Sequence, residues 1–240
     1  MCTYCFICPT YGHYEYARAA VKSFFENTPN GVAIIVDDGH AEFHKFWDES
    51  WNVTAHHFKN SQGLTRSWNY GLAQARNMGA EYAICGNSDI LFSPGWEVGP
   101  ARLLADNSVA LVGPLSNGPG LSNKQQNIWD HIAGYQPNDA KEDIMKVATE
   151  LSQKYEATDC RVPRAINGFF MIGRTLRWWE GRFDDANIFH PHLRMGDEHE
   201  LQKRFGQRGW KCLVSLRSYI FHYRSVTRGD KFKHGMWFRR

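Results

Sequence analysis

Along this chain, short continuous apolar runs alternate with longer segments whose apolar residues recur every three and four positions. That alternation predicts strands interleaved with helices. The run Tyr4 to Cys8 reads as a buried strand. Ala17, Ala20, Val21, Phe24 and Phe25 then fall at helical spacing, and Asn27-Thr28-Pro29-Asn30-Gly31 supplies stop and turn chemistry. VAIIVDDG follows, with β-branched and small apolar residues closing on two carboxylates, as in a parallel strand covered on both faces with acids at its carboxyl end. The pattern then repeats. LTRSWNYGLAQARNMG carries Leu64, Trp68, Leu72 and Ala75 on one helical face and ends at Gly79; EYAICGNSDILF gives strand then loop; VALVGPLSNG gives another strand.

Residues 116 to 139 are polar and rich in Asn, Gly and Pro, which predicts a long excursion ahead of a helix from about Ala140 to Tyr155. RAINGFFMIG resumes an apolar strand, GDEHELQKRFGQRG reads as a helix with Leu201 and Phe205 one turn apart, and KCLVSLRSYIFHYRS returns to strand. No internal repeat, low-complexity tract or linker interrupts the series. The expected fold class is α/β, a single domain over residues 1–240 with a mainly parallel sheet flanked by helices. Ligands of such sheets bind beyond the carboxyl ends of the strands.

Composition narrows the class. The chain has 240 residues, 42% hydrophobic and 22% charged, the balance of a globular domain able to bury a large core. CTYCFIC brings three cysteines three residues apart. C-x-x-C can hold zinc, but the other cysteines, Cys85, Cys160 and Cys212, offer no second half-site, and residues three apart on a strand face opposite ways. They read as small apolar residues of a buried strand in a reducing compartment, and a cytoplasmic location is expected. No stretch approaches the ~20 apolar residues of a membrane span, and the sequon Asn52-Val53-Thr54 is expected to be idle. Net charge is +3, but residues 224 to 240 hold six Lys and Arg against one Asp. Such a tail could meet phosphates, a membrane surface or nucleic acid, or simply be solvated. Nothing reads as an RNA or DNA module, so a nucleic-acid partner is not expected, whereas peripheral membrane contact stays open.

The chemistry lies at the strand ends. Neither G-x-G-x-x-G nor the P-loop pattern is present. The first loop is instead PTYGHYE, where Pro9 is expected to halt the strand ladder and Tyr11 offers a face for a base. Asp37 and Asp38 close the second strand and Asp89 closes another, so acids from different strands can gather on one edge and hold Mg²⁺ or Mn²⁺ together with substrate phosphates.

Taken together, PTY, VDDG, KNSQGLTRSWNYGL, NSDILFSPGW, NGFFMIGR, GRFDD, GDEHELQKR and HYRS resemble the GT-A-type glycosyltransferases of family 2, in the family's order and over roughly residues 5 to 228. The resemblance implies a GT-A (Rossmann-like) domain whose residues 1–115 hold a nucleotide sugar and whose residues 116–240 hold the acceptor. It puts Pro9, Thr10, Tyr11 and Asp38 around the base of a UDP- or GDP-sugar, with Asp37 close by and Asn69, Asn87, Ser88 and Arg224 near the nucleotide. NSD stands as a shortened D-x-D motif. Asp89 would ligate Mn²⁺ or Mg²⁺ with His222, and Asn87 replaces an acid, which removes one carboxylate from the ion. GDEHEL lies over G-E-D-x-D-L, which makes Glu198 the general base with Asp197 beside it. Arg224, Arg228 and Lys231 would meet the diphosphate. Trp129, Trp179 and His192 are placed at a glycan or glycoconjugate acceptor, with Trp178 and Trp179 equally readable as core filler.

The expected function is a metal-dependent, inverting glycosyltransferase acting on a hydroxyl acceptor. A catalytically weak or inactive carbohydrate-binding domain of the same fold is the alternative, because Asn87 weakens the metal site. A sugar-1-phosphate nucleotidyltransferase would need a Gly-rich basic loop after the first strand, and PTYGHYEYAR lacks one.

Overall fold

The computed structural model describes residues 2–40, 51–119, 124–193 and 196–224. The expectations placed on Arg228 and Lys231 lie outside them.

β1 (Tyr4–Thr10), α1 (Tyr14–Asn27), β2 (Gly31–Asp37), β3 (Val53–His57), α2 (Leu64–Asn77) and β4 (Tyr82–Gly86) form the first run of the chain. β5 (Ile90–Phe92), α3 (Val98–Leu104) and β6 (Val109–Leu115) follow. The excursion contains short 3-10 turns at Lys124–Gln126 and Ile128–Asp130 and ends in α4 (Lys141–Lys154). The chain then gives β7 (Cys160–Arg161), β8 (Phe170–Arg174), α5 (Thr175–Glu180), α6 (Asp197–Gln207) and β9 (Lys211–His222). The strands make one mixed sheet in the order β3-β2-β1-β4-β8-β6-β9-β5, with β7 on β9. β1, β2, β3 and β4 run parallel, β8 is antiparallel to both β4 and β6, and β9 runs parallel to β6. The carboxyl ends of β1, β2, β4, β6 and β9 therefore share one edge with the amino end of β8.

Why these segments take these places follows from their patterns. β1, β2 and β4 are near-continuous apolar runs because helices cover both faces of the sheet. On one face α1 packs Ala17, Ala20, Val21 and Phe24 against Phe6, Ile35 and Phe92. On the other, Trp68, Leu72 and Ala75 of α2, Trp178 and Trp179 of α5, and Leu201 and Phe205 of α6 meet Ile7, Val36, Ala83 and Cys85. A third cluster joins Ile144, Val147 and Leu151 of α4 to Val214, Tyr219 and Phe221 of β9. Cys5 and Cys8 face opposite layers, as the strand period requires, and Cys2, before the strand begins, lies on the Cys5 side. All six cysteines are free.

Three expectations are corrected. Pro9 does not halt β1, which continues to Thr10 opposite Asp37; β4 pairing has already ended at Ile7 opposite Cys85, so the missing N–H falls where β1 has one neighbour. Leu64 is exposed, because it opens α2 before the buried stripe begins. β3, α3 and α5 were not expected from the pattern. No helix among the described residues is long and apolar enough to cross a membrane.

Candidate functional site

The shared edge brings Asp89 and His222 together although 133 positions separate them. β9 delivers His222 at its last residue, and the turn after β4 delivers Asp89; both are buried, and His222 Nε2 lies 3.2 Å from Asp89 Oδ1. His222 is oriented from behind. Its Nδ1 is 2.7 Å from the Gly118 carbonyl, which can only accept, so Nδ1 carries a proton and Nε2 is the nitrogen turned to Asp89. Asn117 fixes the backbone there, its Oδ1 accepting from His222 N and its Nδ2 donating to His222 O. Phe169 stacks on the imidazole at 4.9 Å and 13°. Asn87 Nδ2 stands 3.4 Å from Nε2.

This arrangement fits a divalent cation. A carboxylate oxygen and an imidazole lone pair facing each other at 3.2 Å repel unless a proton or a metal ion lies between them. Among the described residues no third His, Cys, Asp or Glu joins them. Asp89 and His222 could therefore donate to such an ion, with the Asn87 amide where a carboxylate could stand, and phosphate oxygens would suit the remaining positions of a hard ion.

Arg224 closes one side. Its backbone is left-handed, φ 62°, and its stem lies so close over Gly118 that a Cβ there would come 2.6 Å from Arg224 Cδ. Burial lowers its pKa to about 10, opposed by the nearby Asp89 carboxylate. Glu198 is linked to His222 through Phe169 and the residue before it, Gly168. It stands in the first turn of α6, its side chain largely covered, with Cδ 3.5 Å from the Cβ position of Gly168, the residue before Phe169. Asp197 beside it is buried, and its Oδ2 has no hydrogen-bond partner. Burial first, then the Glu198 charge, raises the Asp197 carboxyl to about 7. Ser88 is buried between Asn87 and Asp89.

Two strands along the same edge, Asp37 and Asp38 do something other than expected. Asp37 accepts from Tyr14 Oη at 2.7 Å, His57 Nδ1 at 2.6 Å and His40 N at 2.9 Å, and it is fully buried. Asp38 accepts from Gln62 N at 2.5 Å, Gly63 N at 2.9 Å and Ser61 Oγ at 2.7 Å, which tethers the loop that opens α2. Gly39 permits that approach, since at φ 95° its missing Cβ would sit 2.6 Å from Ser61 N. These donors leave Asp37 fully buried and Asp38 only 9% exposed. Pro9 and Thr10 are buried in β1, and Thr10 Oγ1 donates to Gly12 O. Tyr11 projects, 54% exposed, with His40 edge-on at 6.0 Å.

Asn69 is likewise taken up by the protein. Its Nδ2 donates to Phe189 O and Asn187 Oδ1, and its Oδ1 accepts from the N–H groups of Ile188 and Phe189, so it straps residues 187–189 to α2 and no polar atom remains for a nucleotide. Trp179 is corrected as an acceptor residue. α5 follows β8, which runs against its neighbours β4 and β6, so Trp178 and Trp179 lie at the opposite end of the sheet; both are buried, with Trp179 Nε1 donating to Leu72 O and Arg76 over its ring. Trp129 is half-buried edge-on to Tyr135, and His192 is exposed. Sequence reading missed Asn117, Gly118 and Phe169 as supports of His222. The motif NGFF and the strand end SNG carried the signal.

No protein-family model matches this chain, and no curated protein matches it. Solved structures do. A crystal structure of GalNAc-T7 with UDP, GalNAc and Mn²⁺ superposes at TM-score 0.66 and 15% identity, over 92% of this chain and 43% of that one. The mannosyltransferase PcManGT from Pyrobaculum calidifontis, in complex with GDP-Man and Mn²⁺, superposes at 0.59 and 13% identity, over 91% and 56%. S. aureus TarS superposes at 0.60 and 15%, over 92% and 60%. The chain spans about half the length of these structures. With its mixed sheet, its helical layers and its acids gathered at the carboxyl edge, the chain has the GT-A glycosyltransferase fold.

Proposed function

We propose that this protein is an inverting, metal-dependent glycosyltransferase that moves a sugar from a UDP- or GDP-sugar to a hydroxyl of a glycan or glycoconjugate. The observation that carries the reading is the facing pair Asp89 and His222, with Glu198 reached from it through Phe169 and Gly168. Glu198 takes the proton of the acceptor hydroxyl as its oxygen attacks the anomeric carbon and the bond to the diphosphate breaks from the opposite face. Asp89, His222 and the Asn87 amide would hold Mn²⁺ or Mg²⁺, which supplies Lewis-acid stabilisation to the leaving diphosphate. Arg224 adds a charge-assisted contact to the same phosphates. Tyr11 offers its exposed face to the base, while Asp37 and Asp38 act behind it by fixing the neighbouring loops. Trp129 and His192 remain on the acceptor side.

The solved structures alike in fold support the reading by the ligands two of them hold, a nucleotide or nucleotide sugar with Mn²⁺. Asn87 favours a second reading, a binding domain with little or no turnover. The two part in one assay: release of UDP or GDP from a panel of nucleotide sugars, with Mn²⁺ and with chelator, alongside thermal shifts for the same panel. Release from one donor, lost on chelation, is expected. Thermal shifts without release would select the binding domain, and neither signal for any donor would end both.

A further inference from the structure

The pairing of β8 with β4 ends at Phe170 opposite Gly86, so the buried backbone just before it needs partners from elsewhere. Two buried glutamine amides supply them. Gln202 of α6 accepts from Ile166 N at 2.7 Å and donates to Ile166 O at 2.8 Å, taking the place of a neighbouring strand. Gln126, from the excursion, accepts from Asn167 N at 2.8 Å and donates to Pro114 O of β6 at 3.0 Å. Asn167 Oδ1 in turn accepts from Phe169 N at 3.1 Å. The segment so clasped reaches the candidate site at two points, since Gly168 borders Glu198 and Phe169 stacks on His222. Gln202 stands one helical turn after Glu198, and its Nε2 also donates to Glu198 O at 3.0 Å. One amide therefore joins the turn that carries Glu198 to the backbone that carries the ring against His222. Buried and with both amide N–H groups taken, Gln202 acts through Glu198 rather than on a substrate. A general base works only within hydrogen-bond reach of its proton, and a displacement of about 1 Å costs about 10²-fold in rate.

We propose that Gln202 is a positioning residue: it fixes the place of Glu198 relative to the Asp89 and His222 pair, and turnover depends on that placement while nucleotide binding does not. The role rests on the transferase reading with Glu198 as base. Gln202→Met keeps the length of the side chain and removes its three hydrogen bonds, whereas Gln202→Asn keeps the amide but falls one methylene short of Ile166. Each is expected to lower kcat about tenfold or more, with donor KM and the calorimetric affinity for UDP or GDP with Mn²⁺ within about twofold of wild type. Rates are read well below each variant's melting temperature. Gln202→Met is also placed in the Glu198→Gln background, where it is expected to change the residual turnover by less than about twofold because the group it positions is gone. A role in folding alone would lower both backgrounds by the same factor. Absence of wild-type turnover with every donor would end the transferase reading, and this role with it. Given wild-type turnover, four results would overturn the role of Gln202 alone: unchanged kcat in both variants, kcat and nucleotide affinity falling together, an equal loss in the Glu198→Gln background, or failure of both variants to fold, which would make Gln202 a residue of the core.

Discussion

Glu198 and Asp197 are adjacent carboxylates at one helix start, and their surroundings separate their roles. Glu198 borders Gly168 at the edge of the site, whereas Asp197 is buried with an unpartnered oxygen. Glu198→Gln keeps the shape and removes the proton acceptor, so turnover is expected to fall about 10²- to 10⁴-fold with donor affinity within about twofold; wild-type turnover would move the base elsewhere. Asp89→Ala removes half of the facing pair and is expected to weaken both turnover and Mn²⁺-dependent nucleotide binding. Asp197 makes a different prediction, in stability. Below its ordinary value of 3.8 the carboxyl is protonated in folded and unfolded chains alike. Between that value and about 7 the unfolded chain ionises first, so stability falls as pH rises; above about 7 the deficit is constant. Asp197→Asn should therefore melt higher than wild type at pH 8, by an amount worth a few kcal/mol at most, and converge with it at pH 4. An offset equal at both pH values would show that the carboxyl is not held up by folding.

Asn69 acts between elements rather than on a ligand. Its side chain closes α2 onto residues 187–189 through four hydrogen bonds, two donated and two accepted. Removing it leaves the N–H groups of Ile188 and Phe189 without an acceptor, so Asn69→Ala is expected to lower stability by about 1–3 kcal/mol in urea unfolding, with nucleotide affinity nearly unchanged. A selective loss of nucleotide binding at full stability would return Asn69 to the ligand. The same residue marks the limit of sequence reading. VAIIVDD and YAICG declared themselves by composition, because a strand covered on both faces admits little else. VTAHH did not, since β3 is an edge strand, half-exposed along its length. VGPARLL and TLRWWE are too short to show a helical period. Within the candidate site, acids at strand ends were legible from local chemistry. What they bond to was not, because the partners of Asp38 lie 23 to 25 residues away and those of Asn69 about 120. Direction misled in one place. Trp179 follows an apolar strand like any other, but β8 runs against its neighbours and carries it to the far end.

At the scale of the whole molecule, a nucleotide-binding half ending at residue 115 and an acceptor half beginning at 116 have no counterpart in the sheet. β4 does not touch β6 along the hydrogen-bonded path; β8, from the second half of the chain, lies between them and pairs with both. β9 then joins β6 on one side and β5 on the other, so β5 and β6 of the first half find their strand partners only in the second. A fragment of residues 1–115 would keep β3-β2-β1-β4 with α1 and α2, but it would expose the outer edge of β4 and leave β5 and β6 without their partners. Ile84, Ile90, Phe92 and Val112, all buried in the intact chain, would lose Phe170, Ile172 and Ile220 from the layer they share. The functional edge would be lost with them, because His222 and Glu198 belong to the second half and Asp89 to the first. The fragment is expected to show no cooperative thermal transition and to aggregate, and residues 116–240 to do the same. Mixing the two during refolding is expected to restore one transition and, with it, any Mn²⁺-dependent nucleotide binding. A cooperative melt of residues 1–115 alone, with nucleotide affinity like that of the intact chain, would mean that the first half folds as a unit and that the interleaving of strands contributes little to it.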